Sequence, residues 1–446
     1  MTEPYRPSDP AGPRPRDGLV PARRHPHAAV PPGTGPVSRR GLLFGTAGAA
    51  VALAVSGSLG TARPAAAATA AAAAAPSATS IAAASAFLAA RMDQYGSGST
   101  LRVPQSYTGG AEGASGFVSS FAYDDAIVIM AWVSAGDATS LGYATVLADS
   151  LLWAQANDPY RDGRTRASYQ PDPFRTADGP YIGSPAANTG NQAWVGMALL
   201  RLYRATQQPR FLQGALRLAQ WIQSVAWDGQ RSPVGYTGGR DGGDAAITYK
   251  ATEHNIDVGA FFTMLASMSG DPVWSSRARS AFSFVAAMRD GATGRLWTGT
   301  GADGVTTNRS PVPGDVQNWA YLATLDSQYS PAVTWVITTL AASDGGYSGS
   351  AYSTADVSKV WFEGTAHLAL AVRARGATGD PARYTALVTS IEDAQARARN
   401  GDGRGIVSAS SDGLVTGFGD TYNQTLHLGA TAWYLLAARG TNPFRL

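Results

Sequence analysis

Four places in this chain set carboxyl groups beside aromatic or polar residues, just where an apolar stretch begins. Asp124 and Asp125 follow Tyr123, Glu253 and Asp257 bracket His254 and Asn255, Asp315 follows Gly314, and Glu363 follows Trp361 and Phe362. Two carboxyl groups in one hollow can divide acid and base work, one holding a proton for a departing oxygen while the other activates water or attacks. Cleavage of a glycosidic bond needs that division, so the candidate catalytic residues are Glu253, Asp257, Glu363 and one of Asp124 and Asp125.

The sequence also bears on which of these candidates can act. Asp124 and Asp125 lie about 100° apart around a helix, so only one faces a hollow squarely, and Asp is favoured in first turns for dipole reasons alone. Glu253 and Asp257 form an i, i+4 pair of like charges, and burial of their face would make them share a proton. Trp361 and Phe362 beside Glu363 would exclude water, the setting a general acid needs. The chain has two Lys, Lys250 and Lys359, lying three and four residues before Glu253 and Glu363, which predicts an ion pair at each.

Flat side chains with polar edges suit the C–H faces of sugar rings. Tyr123, Trp194, Trp319, Trp361 and Tyr422, with His254 and Asn255, are therefore the candidate carbohydrate-binding residues. Outside the N-terminal region the His residues are His254, His367 and His427, and their spacing resembles no zinc motif. No metal and no cofactor is expected.

These residues need elements to position them, and the chain repeats one device six times. A Gly-, Pro- and Asp-rich loop runs into a polar cluster and then an apolar stretch, at Tyr123, Asn188, Thr252, Gly314, Trp361 and Tyr422. The apolar stretches predict buried helices at 126–133, 193–202, 258–268, 319–325, 365–372 and 426–437. Amphipathic stretches alternate with them at 81–95, 138–157, 209–225, 272–290, 331–342 and 381–400, several with Pro in or near the first turn. Short passages follow the buried helices and long ones precede them, so the binding face should lie at the N-terminal ends of the buried set.

The N-terminal 76 residues hold eight Arg against Glu3, Asp9 and Asp17, leaving 27 basic and 29 acidic residues in the rest. The net charge of +3 therefore implies no nucleic-acid surface. Arg39-Arg40, an apolar Gly- and Ala-rich run and the Ala-rich stretch after it resemble a twin-arginine export signal. The expected organisation is a signal region at 1–68, a linker at 69–80 and one domain at 81–446. The expected partners are the twin-arginine export machinery and a carbohydrate, with no stable membrane span after cleavage and secretion as the destination. The absence of Cys agrees with that route.

Six apolar helices with polar N-termini, the Glu363-Gly364-Thr365 turn and the closing Ala430-Thr431-Ala432-Trp433-Tyr434 resemble the six-hairpin glycosidase superfamily. The resemblance implies an all-α (α/α)6 toroid over residues 81–446 and an exported glycoside hydrolase acting at its broad face. Asp124-Asp125 resembles the Asp pair of endo-mannanases of this fold, but it stands on the first inner helix, so that family's roles are not carried over. Two other readings use the same fold. A polysaccharide lyase or unsaturated-sugar hydrolase would draw on the rim residues Arg161, Arg164, Arg166, Arg175 and Arg240, and a non-catalytic carbohydrate-binding envelope protein would bind without turnover.

Overall fold

Apolar helices without a polar face can be satisfied only by surrounding them, and the chain does so with two concentric rings. The computed structural model describes residues 75–446, which fall in one compact unit. The expected export signal and half of the expected linker lie outside the described residues. The outer ring consists of α1 (Ala78–Asp93), α4 (Ala138–Ala156), α6 (Pro209–Val225), α8 (Pro272–Ala287), α10 (Ser330–Thr339) and α12 (Asp380–Arg397). The inner ring consists of α3 (Ala122–Ala135), α5 (Thr189–Thr206), α7 (Thr252–Ser269), α9 (Asp315–Thr324), α11 (Phe362–Arg375) and α13 (Leu428–Arg439). A short helix, α2 (Gly110–Ala114), sits in the first long loop.

Neighbour packing runs α3, α5, α7, α9, α11, α13 and back to α3, so the inner ring closes on itself. The architecture is the (α/α)6 toroid. Gly136 and Gly270 end α3 and α7 with φ of 75° and 74°, a left-handed turn that sends the chain straight into α4 and α8.

The long passages into the inner helices are not bare loops. They carry short antiparallel strand pairs, such as Ala341–Asp344 with Tyr347–Ser350 and Tyr107–Thr108 with Leu426–His427. The second pair joins the first long loop to the last and ties the two ends of the ring. It also corrects the expected helix at 426–437: pairing with Tyr107–Thr108 holds Leu426 and His427 extended, and α13 starts at Leu428.

Below the ring the C-terminal segment folds across the axis. Arg201 Nη2 donates to the carbonyls of Asn442 and Arg445, and Asn442 Nδ2 donates to the Leu322 carbonyl. Phe444 is thereby held against Trp194, with ring centroids 4.9 Å apart. The C-terminal end of the toroid is closed, which leaves the N-terminal ends of the inner helices as the open face.

Candidate functional site

One polar side chain near the start of each inner helix clamps the loop that precedes it. Gln192, Asn255 and Gln317 each receive a backbone N–H from Thr165, Tyr236 and Leu296 at 2.8 Å, and return an amide proton to the same residue's carbonyl at 2.9 Å. Thr365 and Thr431 accept from the N–H of Ser350 and Ile406 at 3.1 and 2.9 Å. All five side chains also donate to the carbonyl four residues before them. Asp125 stands at the corresponding place on α3, where it accepts the Ser120 hydroxyl at 2.8 Å.

The clamps define a register. They face outward to the loops, and residues two positions either side are turned by about 200° and face the axis. The upper axial layer is therefore Tyr123, Gly190, Glu253, Asp315, Glu363 and Gly429. The lower layer is Ile127, Trp194, Asp257, Trp319, His367 and Trp433.

Contacts inside the ring agree with this register for Tyr123 and Glu363 above and for four rings below. Tyr123 on α3 donates its hydroxyl proton to Glu363 Oε1 on α11 at 2.7 Å, although α3 and α11 are not neighbours. Ring centroids of Trp319 lie 5.1 Å from Trp194, 6.0 Å from Trp433 and 5.1 Å from His367, joining four inner helices. The lower layer is thus an aromatic floor, sealed from beneath by Phe444.

Above that floor, proton positions follow from the donors. Trp433 Nε1 can only donate, so Tyr123 accepts from it at 2.8 Å and passes its own proton to Glu363. Glu363 Oε1 is then an acceptor, and an acid proton on this group belongs on Oε2. His427 Nδ1 receives the Ala430 N–H at 3.0 Å, which places the ring proton on Nε2, 3.3 Å from Asp124 Oδ2. Glu363 Oε2 lies 4.0 Å from His427 Nδ1, so Asp124, His427 and Glu363 form one line from α3 past the N-cap of α13 to α11. Tyr107 stacks on the His427 ring at 4.4 Å and 11°.

On the opposite wall, α7 contributes Glu253, His254 and Asp257. A Cβ at Gly190 would stand 2.6 Å from His254 Cδ2 and 3.1 Å from Asp257 Oδ2, so the missing side chain of α5 makes room for both. Trp361 stacks with Tyr422 at 6.0 Å and 18° and packs on Tyr352 at 4.7 Å, an aromatic bank beside Glu363.

Several expectations are corrected. Asn255 spends its amide on Tyr236 and Ala251 as a loop clamp and is not a ligand group. Asp125 occupies the same structural position, and Asp124 is the member of the pair that reaches the His427 and Glu363 group. Burial, the largest influence, pushes the Asp125 carboxyl well above the usual range. The Ser120 hydroxyl opposes that rise and Asp124 adds to it. Trp194 and Trp319 form the floor and do not stand on the rim.

The expected lysine pairs also fail. Lys250 Nζ is buried 2.9 Å from Asp228 Oδ2 and donates to the carbonyls of Arg231, Pro233 and Gly304. Lys359 donates to Ser358. Sequence proximity to Glu253 and Glu363 was the misleading signal, because both side chains turn back into the loops.

The sequence reading gave no role to Tyr107, Glu112, His427 or Trp433. Glu112 is buried and anchors the last loop by accepting from Asn423 and Thr425. Only a loop pairing separated by some 300 residues brings these groups together, and no local pattern carries it. Among the described residues no group of three His, Asp or Glu side chains is arranged to hold a metal ion, and no helix is long and apolar enough to cross a membrane.

Comparison with known proteins gives the same architecture. No family model matches the chain, and no curated protein matches it. Among solved structures, a cellobiose 2-epimerase from Bacillus thermoamylovorans is similar with a TM-score of 0.59 and 11% identity, over 79% of this chain and 95% of that one. A family 76 glycoside hydrolase from a bovine Bacteroides thetaiotaomicron strain reaches a TM-score of 0.58 at 11% identity, over 81% and 77%. An α-1,6-mannanase of family 76 from Salegentibacter reaches 0.52 at 13%, over 82% and 99%. These likenesses show the (α/α)6 toroid fold, which hydrolases and epimerases among the similar structures share.

Proposed function

We propose that the protein is an exported carbohydrate-active enzyme, and specifically a glycoside hydrolase that cleaves an oligo- or polysaccharide in the cup above the aromatic floor. The observation that carries this reading is the axial layer, in which Glu253 and Glu363 stand at one level on inner helices separated by a single helix. Glu363 suits the acid: Tyr123 fixes Oε1 as an acceptor, and Oε2 carries the proton for the leaving oxygen. A second carboxyl of the same layer activates water. Tyr352, half-buried against the stacked Trp361 and Tyr422 rings, is the aromatic side chain of this bank open to a saccharide.

The lyase alternative is weakened by the rim arginines. Arg164 pairs with Asp162 and Asp244, Arg166 pairs with Asp158, and Arg175 lies over the Trp153 ring, so these groups are engaged within the protein. A second reading, sugar epimerisation, draws on the similarity to the epimerase. His427 does not favour it, since both ring nitrogens already have partners.

The deciding experiment incubates the purified protein with a panel of neutral and acidic saccharides and weighs the products. Hydrolysis adds one water per cut, epimerisation leaves the mass unchanged, and a lyase product absorbs near the ultraviolet edge. Export is tested separately by replacing Arg39 and Arg40 with Lys, which should leave the protein in the cytoplasm.

A further inference from the structure

The axial register contains a third carboxyl. Asp315 holds the same position on α9 that Glu253 holds on α7 and Glu363 on α11, two residues before the clamp Gln317. Asp315 is one turn from Trp319 on the same helix face, and Trp319 touches rings from α3, α5, α11 and α13, which places that face on the axis. Packed inner helices stand about 8–10 Å apart, and those separated by a third helix stand farther. Carboxyl pairs in glycosidases are separated by roughly 5–9.5 Å. From α9, next to α11, Asp315 is therefore better placed than Glu253 to work with Glu363.

The same helix carries a group that wants a ligand. Asn318 is 1% exposed, and both its Oδ1 and Nδ2 lack a partner. It lies one turn along α9 on the Asp315 side. A buried amide left unmatched costs about 1–3 kcal/mol, and a sugar hydroxyl, donor and acceptor at once, would satisfy it. The Val316 N–H donates to Asp315 Oδ1 at 2.7 Å and orients the carboxyl.

We propose that Asp315 is the catalytic base of the cup, working with Glu363 as acid, while Glu253 holds substrate hydroxyls on the far side. The proposal rests on the hydrolase reading above. In the step, water adds to the anomeric carbon and gives its proton to Asp315 as the bond to the leaving oxygen breaks. Glu363 gives its proton to that oxygen, and the pair ends with Asp315 protonated and Glu363 ionised.

The test compares Asp315→Asn and Glu363→Gln on a polymeric substrate and on the corresponding glycosyl fluoride, whose leaving group needs no proton. Loss of the acid should be largely repaired on the fluoride. Loss of the base should reduce kcat by about 10²–10⁴-fold on both substrates, with KM changed less than about threefold and the melting temperature preserved. Asp315→Ala regaining rate with added formate or azide would support the role further. An active wild type with an equally active Asp315→Asn overturns this assignment alone, and a wild type that cleaves nothing overturns the hydrolase reading along with it. Should Asp315→Asn fail to fold, formate rescue of Asp315→Ala decides, and absence of rescue counts against the proposal.

Discussion

Tyr123 and Glu363 are bonded inside the toroid at 2.7 Å, from inner helices that are not neighbours in the ring. Trp433 completes the chain by donating to the Tyr123 oxygen. The hydroxyl is thus a fixed donor that decides which oxygen of Glu363 remains for chemistry. Tyr123→Phe should lower kcat by about 10–100-fold, the worth of a hydrogen bond to a charged group. Steady-state kinetics check it, and an unchanged kcat would detach Tyr123 from the acid.

Asp125 gives a pH-dependent prediction. Its folded-state pKa is raised, so its contribution to stability is full below the unfolded value of about 3.9 and is lost as pH rises through the folded pKa. Asp125→Asn removes that loss and supplies the amide that Asn255 and Gln192 use in the same position. The variant should match the wild type at acidic pH and melt higher at alkaline pH, with activity retained. Melting curves across pH test this, and a uniform drop at all pH values would contradict the clamp assignment.

Lys250 should be a structural cation. Burial raises the Asp228 carboxyl, yet its bond to Lys250 and the backbone N–H groups of Arg231 and Gln230 outweigh that and hold it at about 2. The stabilisation is present above the unfolded value and lost as pH falls through about 2. Lys250→Met leaves three carbonyls without their donor and Asp228 with the Arg231 guanidinium alone, and should cost about 1–3 kcal/mol, read from denaturant unfolding.

Gly190 leaves the space into which His254 and Asp257 project. Gly190→Ala would place a methyl 2.6 Å from His254 Cδ2, forcing a shift that costs about 1–3 kcal/mol. Weaker substrate binding, seen as a raised KM, should accompany the loss in melting temperature.

The ring was legible in the sequence because each inner helix announces itself twice, by a polar entry cluster and by an apolar stretch with no polar face. Pro209 and Pro272 mark helix starts that the structure places at those residues. Where a turn signal was passed over, the boundary slipped: Asp344-Gly345-Gly346 turns a hairpin, so the helix expected to reach Ala342 stops at Thr339. The first helix starts at Ala78 because the Ser77 hydroxyl caps it, three residues before the expected Ile81.

The candidate site was legible only in part. Asp124, Glu253 and Glu363 were recognisable by type and place at the helix starts. Their sorting from Asp125 and Asn255 depends on which side of the helix meets the axis, and for five of the six inner helices that is set by a loop residue 15 to 27 positions away in sequence. His427 and Tyr107 come together only when the ends of the ring pair.

The most direct measurement of the central claim is mass analysis of saccharides treated with the wild type and with Glu363→Gln. The expected result is fragments carrying one added water from the wild type, and about 10²–10⁴-fold slower release from a variant that melts like the wild type. Intact saccharides with the wild type, or equal fragment release from both proteins, would contradict it.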